Sequence, residues 1–182
     1  MKIKFVIMFA ALLTVSSNWV FGQDSWKIDS TQIIFHISNA GLDVEGKIAG
    51  ITGNIKFSKN KLDKSSFAAE AKTETIQTGI KLRDKHLKKT DYFDVENNPT
   101  IRIESKKIIQ SKNGFESICT IKIKGQTKEI SIPFTFKQAN NKAEFNGTFS
   151  LNRLDFGLGE KSIILSDTVK IDIWISASLA TN

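Results

Sequence analysis

Few residues in this chain are suited to making or breaking bonds. It has two histidines, His36 and His86, and one cysteine, Cys119. A structural zinc site takes four Cys or His ligands, so three scattered residues cannot build one, and no metal is expected. The histidines lie far apart in sequence, and neither sits in a ligand-spacing or nucleophile motif. Each therefore reads as a hydrogen-bonded structural residue. There is no Gly-x-Ser-x-Gly elbow, no His-Glu-x-x-His pair, no phosphate loop and no dinucleotide fingerprint. Asp84 with Asp91, and Asp91 with Asp94, are acidic pairs that acid–base chemistry could use. Carboxylates in such polar stretches ordinarily cap helices and solvate turns. Arg83 and Arg153 could hold the polar end of a ligand. The competing reading is that each pairs with a nearby acid, Asp84 or Asp155, and pins a loop. The expectation is a protein that is not an enzyme and carries no cofactor.

These residues are distributed over one domain's length of chain. The 182 residues are 40% hydrophobic and 25% charged, which excludes a disordered or collagen-like chain. The net charge of +7 comes from lysines dispersed along the sequence, a pattern of solvated surface more than of a nucleic-acid arm. A single-strand-binding surface would also need exposed stacking aromatics, and the phenylalanines mostly share the apolar strand faces. No nucleic-acid partner is expected.

Residues 1–22 read as an export signal. Lys2 and Lys4 precede an apolar stretch from Phe5 to Val15, and Val20-Phe21-Gly22 offers small or modest residues where signal peptidase reads. The stretch is short of the roughly 20 residues that span a bilayer. No Cys follows the cleavage site, so no lipid anchor is indicated. Removing Lys2 and Lys4 takes the net charge from +7 to +5. The expected compartment is the periplasm or the exterior, with residues 23–182 as the mature domain.

That domain is dominated by alternation of period two, the mark of strands with one buried face. Phe35 and Ile37 alternate with His36 and Ser38, and Ile51, Gly53, Ile55 and Phe57 with Thr52, Asn54 and Lys56. Cys119, Ile121 and Ile123 share a face, as do Ile130, Ile132, Phe134 and Phe136. Phe145, Gly147, Phe149 and Leu151 form another set, and Val169, Ile171, Ile173 and Ile175 a last one. About eight strands with polar turns and no strand–helix alternation indicate an all-β antiparallel sandwich or closed barrel. One segment departs from this. Ile80 to Lys89 suits a short helix with Ile80, Arg83, Asp84 and Leu87 on one face, and Asn97-Asn98-Pro99 ends the excursion. Arg83 and Asp84 are thus expected against the barrel, and Cys119 is expected free and buried.

The inward face is uneven. Gly46, Gly50, Gly53, Ala69, Ala71 and Gly147 stand where other strands carry Ile or Phe. Small residues permit the coiling of a closed barrel. They would equally leave its lumen hollow, and an eight-stranded barrel is just wide enough to be filled or to hold one small ligand. The sequence pattern leaves both readings open.

Several segments, taken in order, resemble the YceI-like polyisoprenoid-binding proteins. They are Gly79-Ile80-Lys81-Leu82-Arg83-Asp84-Lys85-His86-Leu87, Asp91-Tyr92-Phe93-Asp94-Val95 and Asn98-Pro99-Thr100-Ile101. Trp26 to Ser30, Gly53 to Phe57, Ile121 to Lys128 and Asn152-Arg153-Leu154-Asp155-Phe156-Gly157-Leu158 extend the resemblance over nearly the whole mature chain. It implies a lipocalin-like antiparallel barrel of eight strands with one short helix-and-loop insertion. It also implies a lumen for a polyisoprenoid or other long-chain lipid, held for transport, storage or sequestration. On that reading the lumen is lined by Phe35, Ile37, Ile55, Ile121, Ile132, Phe134, Phe145, Phe149, Ile171 and Ile173. Asn39, Arg83, Asp84, His86 and Arg153 are the headgroup or mouth contacts. Asn39 stands where many members carry His. The alternative function is a periplasmic stress-response or interaction protein whose barrel is a filled scaffold without lipid. Stable membrane insertion is not expected, since one Tyr and two mature Trp make poor aromatic girdles. Monomer and homodimer both remain open.

Overall fold

Strands with one apolar face and no covering layer of helices can bury that face, and leave no open edge, by closing on themselves. The computed structural model, which describes residues 24–180, shows this closure. The expected leader, residues 1–22, lies outside the described residues. The strands are β1 (Ser25–Asn39), β2 (Leu42–Ile48), β3 (Thr52–Lys56), β4 (Ser66–Lys72), β5 (Thr100–Ser111), β6 (Gly114–Ile123), β7 (Gln126–Ala139), β8 (Lys142–Asn152) and β9 (Thr168–Leu179). All pairings are antiparallel, and β9 returns to β1 from Trp26↔Leu179 to His36↔Lys170.

The nine strands of the described residues make eight staves. β2 pairs with the second half of β1, Ile33↔Ile48 to Asn39↔Leu42. β3 pairs with its start, Trp26↔Ile55 and Ser25↔Lys56. The two are one stave interrupted at residues 49–51, where Gly50 takes a positive φ of 66°. β4 continues the sheet from β3 alone. Beside β2 the wall is completed by the chain after β4: Lys47 and Gln77 exchange backbone hydrogen bonds of 2.8 and 3.0 Å, and Lys72 N–H donates to the Ala49 carbonyl. The one α-helix among the described residues, α1 (Lys81–Leu87), and the turns after it then fold across that end of the barrel. It is shorter than the expected Ile80–Lys89: Ile80 is already extended at φ −120°, and past Leu87 the chain tightens into a turn in which Lys89 N–H donates to the His86 carbonyl. No helix among the described residues is long and apolar enough to cross a membrane.

The barrel interior is divided along its axis. At the end where β1 begins, it is packed solid. Phe57 is wholly buried and lies 4.8–5.9 Å, ring centre to ring centre, from Phe67, Phe115, Phe134, Phe136 and Phe145. Most of these contacts are edge-to-face, the arrangement that aromatic quadrupoles favour. Trp26 closes the layer, donating its indole N–H to the Phe57 carbonyl at 2.9 Å. Ile55, Ile108, Ala143 and Ala177 fill the remaining gaps. Above this plug, Cys119 is buried beside Ser117, with Oγ and Sγ 3.1 Å apart, and burial pushes its thiol pKa up.

The two readings of the small residues each apply at different positions. Gly53 lets β3 approach β4: a Cβ there would meet the Ala68 carbonyl oxygen at 2.5 Å. Gly46 lies under the Phe35 ring, which a Cβ would strike at 2.1 Å. Ala69 and Ala71, by contrast, border open space.

Because Phe57 touches five other rings, Phe57→Ala is expected to cost about 3–5 kcal/mol. Chemical denaturation measures this, and a loss below about 1 kcal/mol, the size of an ordinary surface change, would show that the plug does not carry the fold.

Candidate functional site

Above the plug the barrel is hollow. A cavity of about 370 Å³ runs from Ile33, Ile103, Phe149 and Ile173 up to the end covered by α1. That volume lies at the low end of the range for small-molecule sites. The wall comes from the inward positions of the strands: Ile33, Phe35 and Ile37 of β1, Ile101 and Ile103 of β5, Ile121 and Ile123 of β6, and Val169, Ile171 and Ile173 of β9. Many of these are only half-buried although they point inward. Their remaining exposure is to the cavity.

The ten residues expected to line the lumen divide at the plug. Phe35, Ile37, Ile121, Phe149, Ile171 and Ile173 are on the cavity wall. Ile55, Phe134 and Phe145 are not; they belong to the aromatic plug. Ile132 is buried against Cys119, Phe149 and Ile171 and is likewise off the wall. Period-two alternation assigns a face but not a height along the barrel axis, and height decides whether an inward side chain meets a neighbour or space. The same alternation could have found Ile33, Ile101, Ile103, Ile123 and Val169. Tyr92, Phe93, Leu158 and Leu165 lie on irregular segments, where parity is silent.

The polar groups gather at the open end. Asn39, Arg83, His86 and Arg153 border the cavity, and Asp84 does not. Neither arginine pairs with the acid proposed for it. Arg83 donates from Nε to Thr78 Oγ1 at 2.7 Å and from Nη2 to the Thr78 carbonyl at 2.9 Å. Asp84 Oδ1 accepts from the Thr78 N–H at 2.7 Å and from its hydroxyl at 2.6 Å. Adjacent helix positions do not face each other, so Thr78 joins the two side chains where a direct ion pair cannot. Both stay partly exposed: Arg83 lies against the barrel on the cavity wall, as expected, while Asp84 is off that wall and is held by Thr78. The Thr78 hydrogen bonds hold the Asp84 carboxyl below its usual pKa. His86 is exposed and sets its ring edge against Tyr92, 5.0 Å away.

Arg153 is the buried cation of the site, with 2% of its surface exposed. It lies in a short 3₁₀ turn (Arg153–Phe156) after β8, and the expected partner Asp155 is turned to solvent. The ion pair runs instead to Asp167, 2.9 Å from Nη2. Nε donates to the Ser166 carbonyl and Nη1 to the Leu158 carbonyl, both at 2.9 Å. One guanidinium thus ties both ends of the 157–167 loop to the barrel. That loop meets its neighbours through backbone bonds: Ala40 N–H to the Ile164 carbonyl at 2.7 Å, and Gly159 N–H to the Asp91 carbonyl at 2.7 Å. The turn after α1 has its own clamp. Asp94 accepts from the side-chain amides of Asn97 and Asn98 at 3.0–3.2 Å. The Asn98 carbonyl accepts from the buried Thr73 hydroxyl at 2.7 Å. The carboxylates of Asp84 and Asp94 therefore shape turns, and Asp91 contributes its backbone carbonyl. Among the described residues no cluster of His, Cys, Asp and Glu is placed to hold a metal.

Two outcomes follow from these contacts. Arg153→Met should cost about 2–3 kcal/mol, because it strips a buried, charged donor from the Ser166 and Leu158 carbonyls and the Asp167 carboxylate. Arg153→Lys should not restore it, since one ammonium cannot span the fork; thermal melts that match wild type would remove the clamp from the account. Asp84 has a lowered folded pKa, so its contribution is present above the ordinary aspartate value of about 4 and is lost as pH falls through the lower value. Amide exchange at Thr78 should accelerate over that acid window and lose this pH response in Asp84→Ala; a rate insensitive to acid, after correction for intrinsic exchange, would contradict it.

The whole arrangement has counterparts among known proteins. A family model described as the YceI-like domain matches residues 26–177. A UPF0312 protein of Pseudomonas savastanoi pv. phaseolicola is 30% identical over 132 residues, covering 68% of this chain and 69% of its own length. One from Pseudomonas putida is 26% identical over 180 residues, with 91% and 93% covered. The crystal structure of Burkholderia cenocepacia BcnA superposes with a TM-score of 0.80 at 20% identity, over 84% of this chain and 100% of that one. A polyisoprenoid binding domain from Saccharophagus degradans, implicated in plant cell wall breakdown, gives 0.66 at 11% identity over 87% and 99%. These two likenesses carry the fold; the family match, which runs from Trp26 in the plug through both clamps to Ala177, carries the membership. The chain belongs to the YceI-like family.

Proposed function

We propose that this protein holds one polyisoprenoid or other long-chain amphiphile in the open half of its barrel. It does so outside the cytoplasm, for transport, storage or sequestration and without altering the ligand chemically. The observation that carries this reading is the cavity above the Phe57 plug, lined mostly by Ile, Val, Leu and Phe, with Asn39, Arg83 and His86 at its mouth. The name of the Saccharophagus degradans domain, polyisoprenoid binding, supports the same ligand class. An apolar chain entering such a space gains about 0.8 kcal/mol per buried methylene. Asn39, Arg83 and His86 stand at the open end, where a hydroxyl or phosphate headgroup would lie. Arg153 is committed to the loop clamp and leaves the headgroup to the others. The filled-scaffold alternative describes the plugged half of the barrel; the open half is where the two readings part. The outward strand positions carry residues such as Lys122, Lys137 and Lys170, the reverse of a barrel whose apolar band faces lipid.

Ile173 lies mid-strand on the cavity wall, and Ile173→Trp tests the reading in two measurements. In a packed core the larger ring would cost typically 1–3 kcal/mol. Here the lipid-free variant should keep wild-type stability, while its uptake of a fluorescent long-chain fatty acid falls. A destabilised variant with undiminished uptake per folded molecule would overturn the proposal.

A further inference from the structure

The mouth has a property that holding a lipid does not require. Six large apolar side chains stand exposed among the described residues: Leu42, Ile80, Leu82, Ile163, Ile164 and Trp174. Single exposed apolar residues are ordinary, and Trp174, on the outer face of β9, is one of these. The other five lie on the three segments that surround the cavity mouth. Leu42 is at the β1–β2 turn, Ile80 and Leu82 open α1, and Ile163 and Ile164 sit on the 157–167 loop. Each segment also supplies a cavity-lining neighbour: Asn39, Arg83 and Leu165. Leu82 is 79% exposed and Ile163 fully so. Apolar residues concentrated around one opening mark a surface that meets an apolar partner.

Charge identifies the partner. Between residues 80 and 90 the sequence has Lys81, Arg83, Lys85, Lys88 and Lys89 against one acid, Asp84. Lys81, Lys85 and Lys89 are exposed, and none is held in an ion pair among the described residues. The rim also carries acids, fewer than its cations: Asp91 is exposed beside the 157–167 loop. Asp43 is bound by His36 at 3.1 Å, and Glu160 adjoins Lys161. A second copy of the chain, brought mouth to mouth, would meet a rim with the same excess of lysines. An anionic lipid surface accepts both the apolar side chains and the cations.

We propose that the mouth docks directly on an anionic bilayer. Leu82, Ile163 and their neighbours enter the headgroup–acyl boundary, and Lys81, Lys85 and Lys89 contact lipid phosphates. The cavity then opens toward the membrane, so an apolar chain can pass between bilayer and barrel without crossing water. The purpose of docking rests on the proposed function; the docking itself does not.

Vesicle flotation of the full-length purified protein tests this. The probes are vesicles of phosphatidylcholine alone and of phosphatidylcholine mixed with phosphatidylglycerol. The protein should float with the mixed vesicles, less with the neutral ones, and less again as salt rises. Leu82→Ser combined with Ile163→Ser should weaken flotation on the order of tenfold, with an unchanged melt because both positions are exposed. Lys81→Gln, Lys85→Gln and Lys89→Gln together should remove the preference for the anionic vesicles. Ile173→Trp should still float, whatever its uptake of the fluorescent fatty acid, which separates failure of docking from failure of the cavity reading. Wild type that ignores anionic vesicles, flotation indifferent to the Leu82/Ile163 change, or a dimer in sedimentation that this change dissolves would each overturn the proposal.

Discussion

The packing around Phe57 is the contact on which the rest of this barrel depends. An empty apolar space forfeits the dispersion contacts its lining would otherwise make, so a closed barrel with a hollow half needs its stability from elsewhere. Here one end supplies it. Five phenylalanines from β4, β6, β7 and β8 converge on the Phe57 ring just after β3, and Trp26 of β1 packs on two of them and bonds the Phe57 carbonyl. The plug joins staves that are distant in sequence and fixes where the cavity floor lies. It thereby sets both the stability of the lower half and the depth of the upper.

The open end is held by polar contacts instead. Thr78 joins Arg83 to Asp84, Asp94 gathers Asn97 and Asn98, and Arg153 binds Asp167 and two loop carbonyls. Each of these buried or half-buried groups has a partner, so the irregular segments stay in place without filling the space beneath them. This division explains why the residues that look most chemical in the sequence are largely structural, while the ligand-sized space is lined by Ile, Phe and Val. It also explains why helix α1 can be short: it is a cover held by its flanking turns, and its own seven residues would not be stable alone.

Much of this was legible in the sequence. Period-two alternation located the staves because a strand with one buried face leaves no other pattern, and the change of period at Gly79–Pro99 marked the cover. What the alternation could not carry was position along the axis. Ile55, Phe134 and Phe145 alternate just as Phe149 and Ile173 do, yet the first three pack on Phe57 and the last two face space. The glycines were ambiguous for a related reason. Gly53 and Gly46 answer to the approach of a strand and of a ring, whereas Ala69 and Ala71 leave volume, and only the neighbouring stave tells them apart. The arginine partners were missed because Asp167 is fourteen residues from Arg153 and becomes its neighbour only when the loop closes.

The central claim, an apolar chain held above a packed floor, is tested most directly by the affinity of unbranched fatty alcohols of increasing length, measured by titration calorimetry. At about 0.8 kcal/mol per methylene, affinity should rise about fourfold with each added carbon. It should then level off at the length whose tip meets the floor near Phe149 and Ile173. A profile that is flat from the start would contradict the account, as would one that climbs undiminished through lengths only an unplugged barrel could hold.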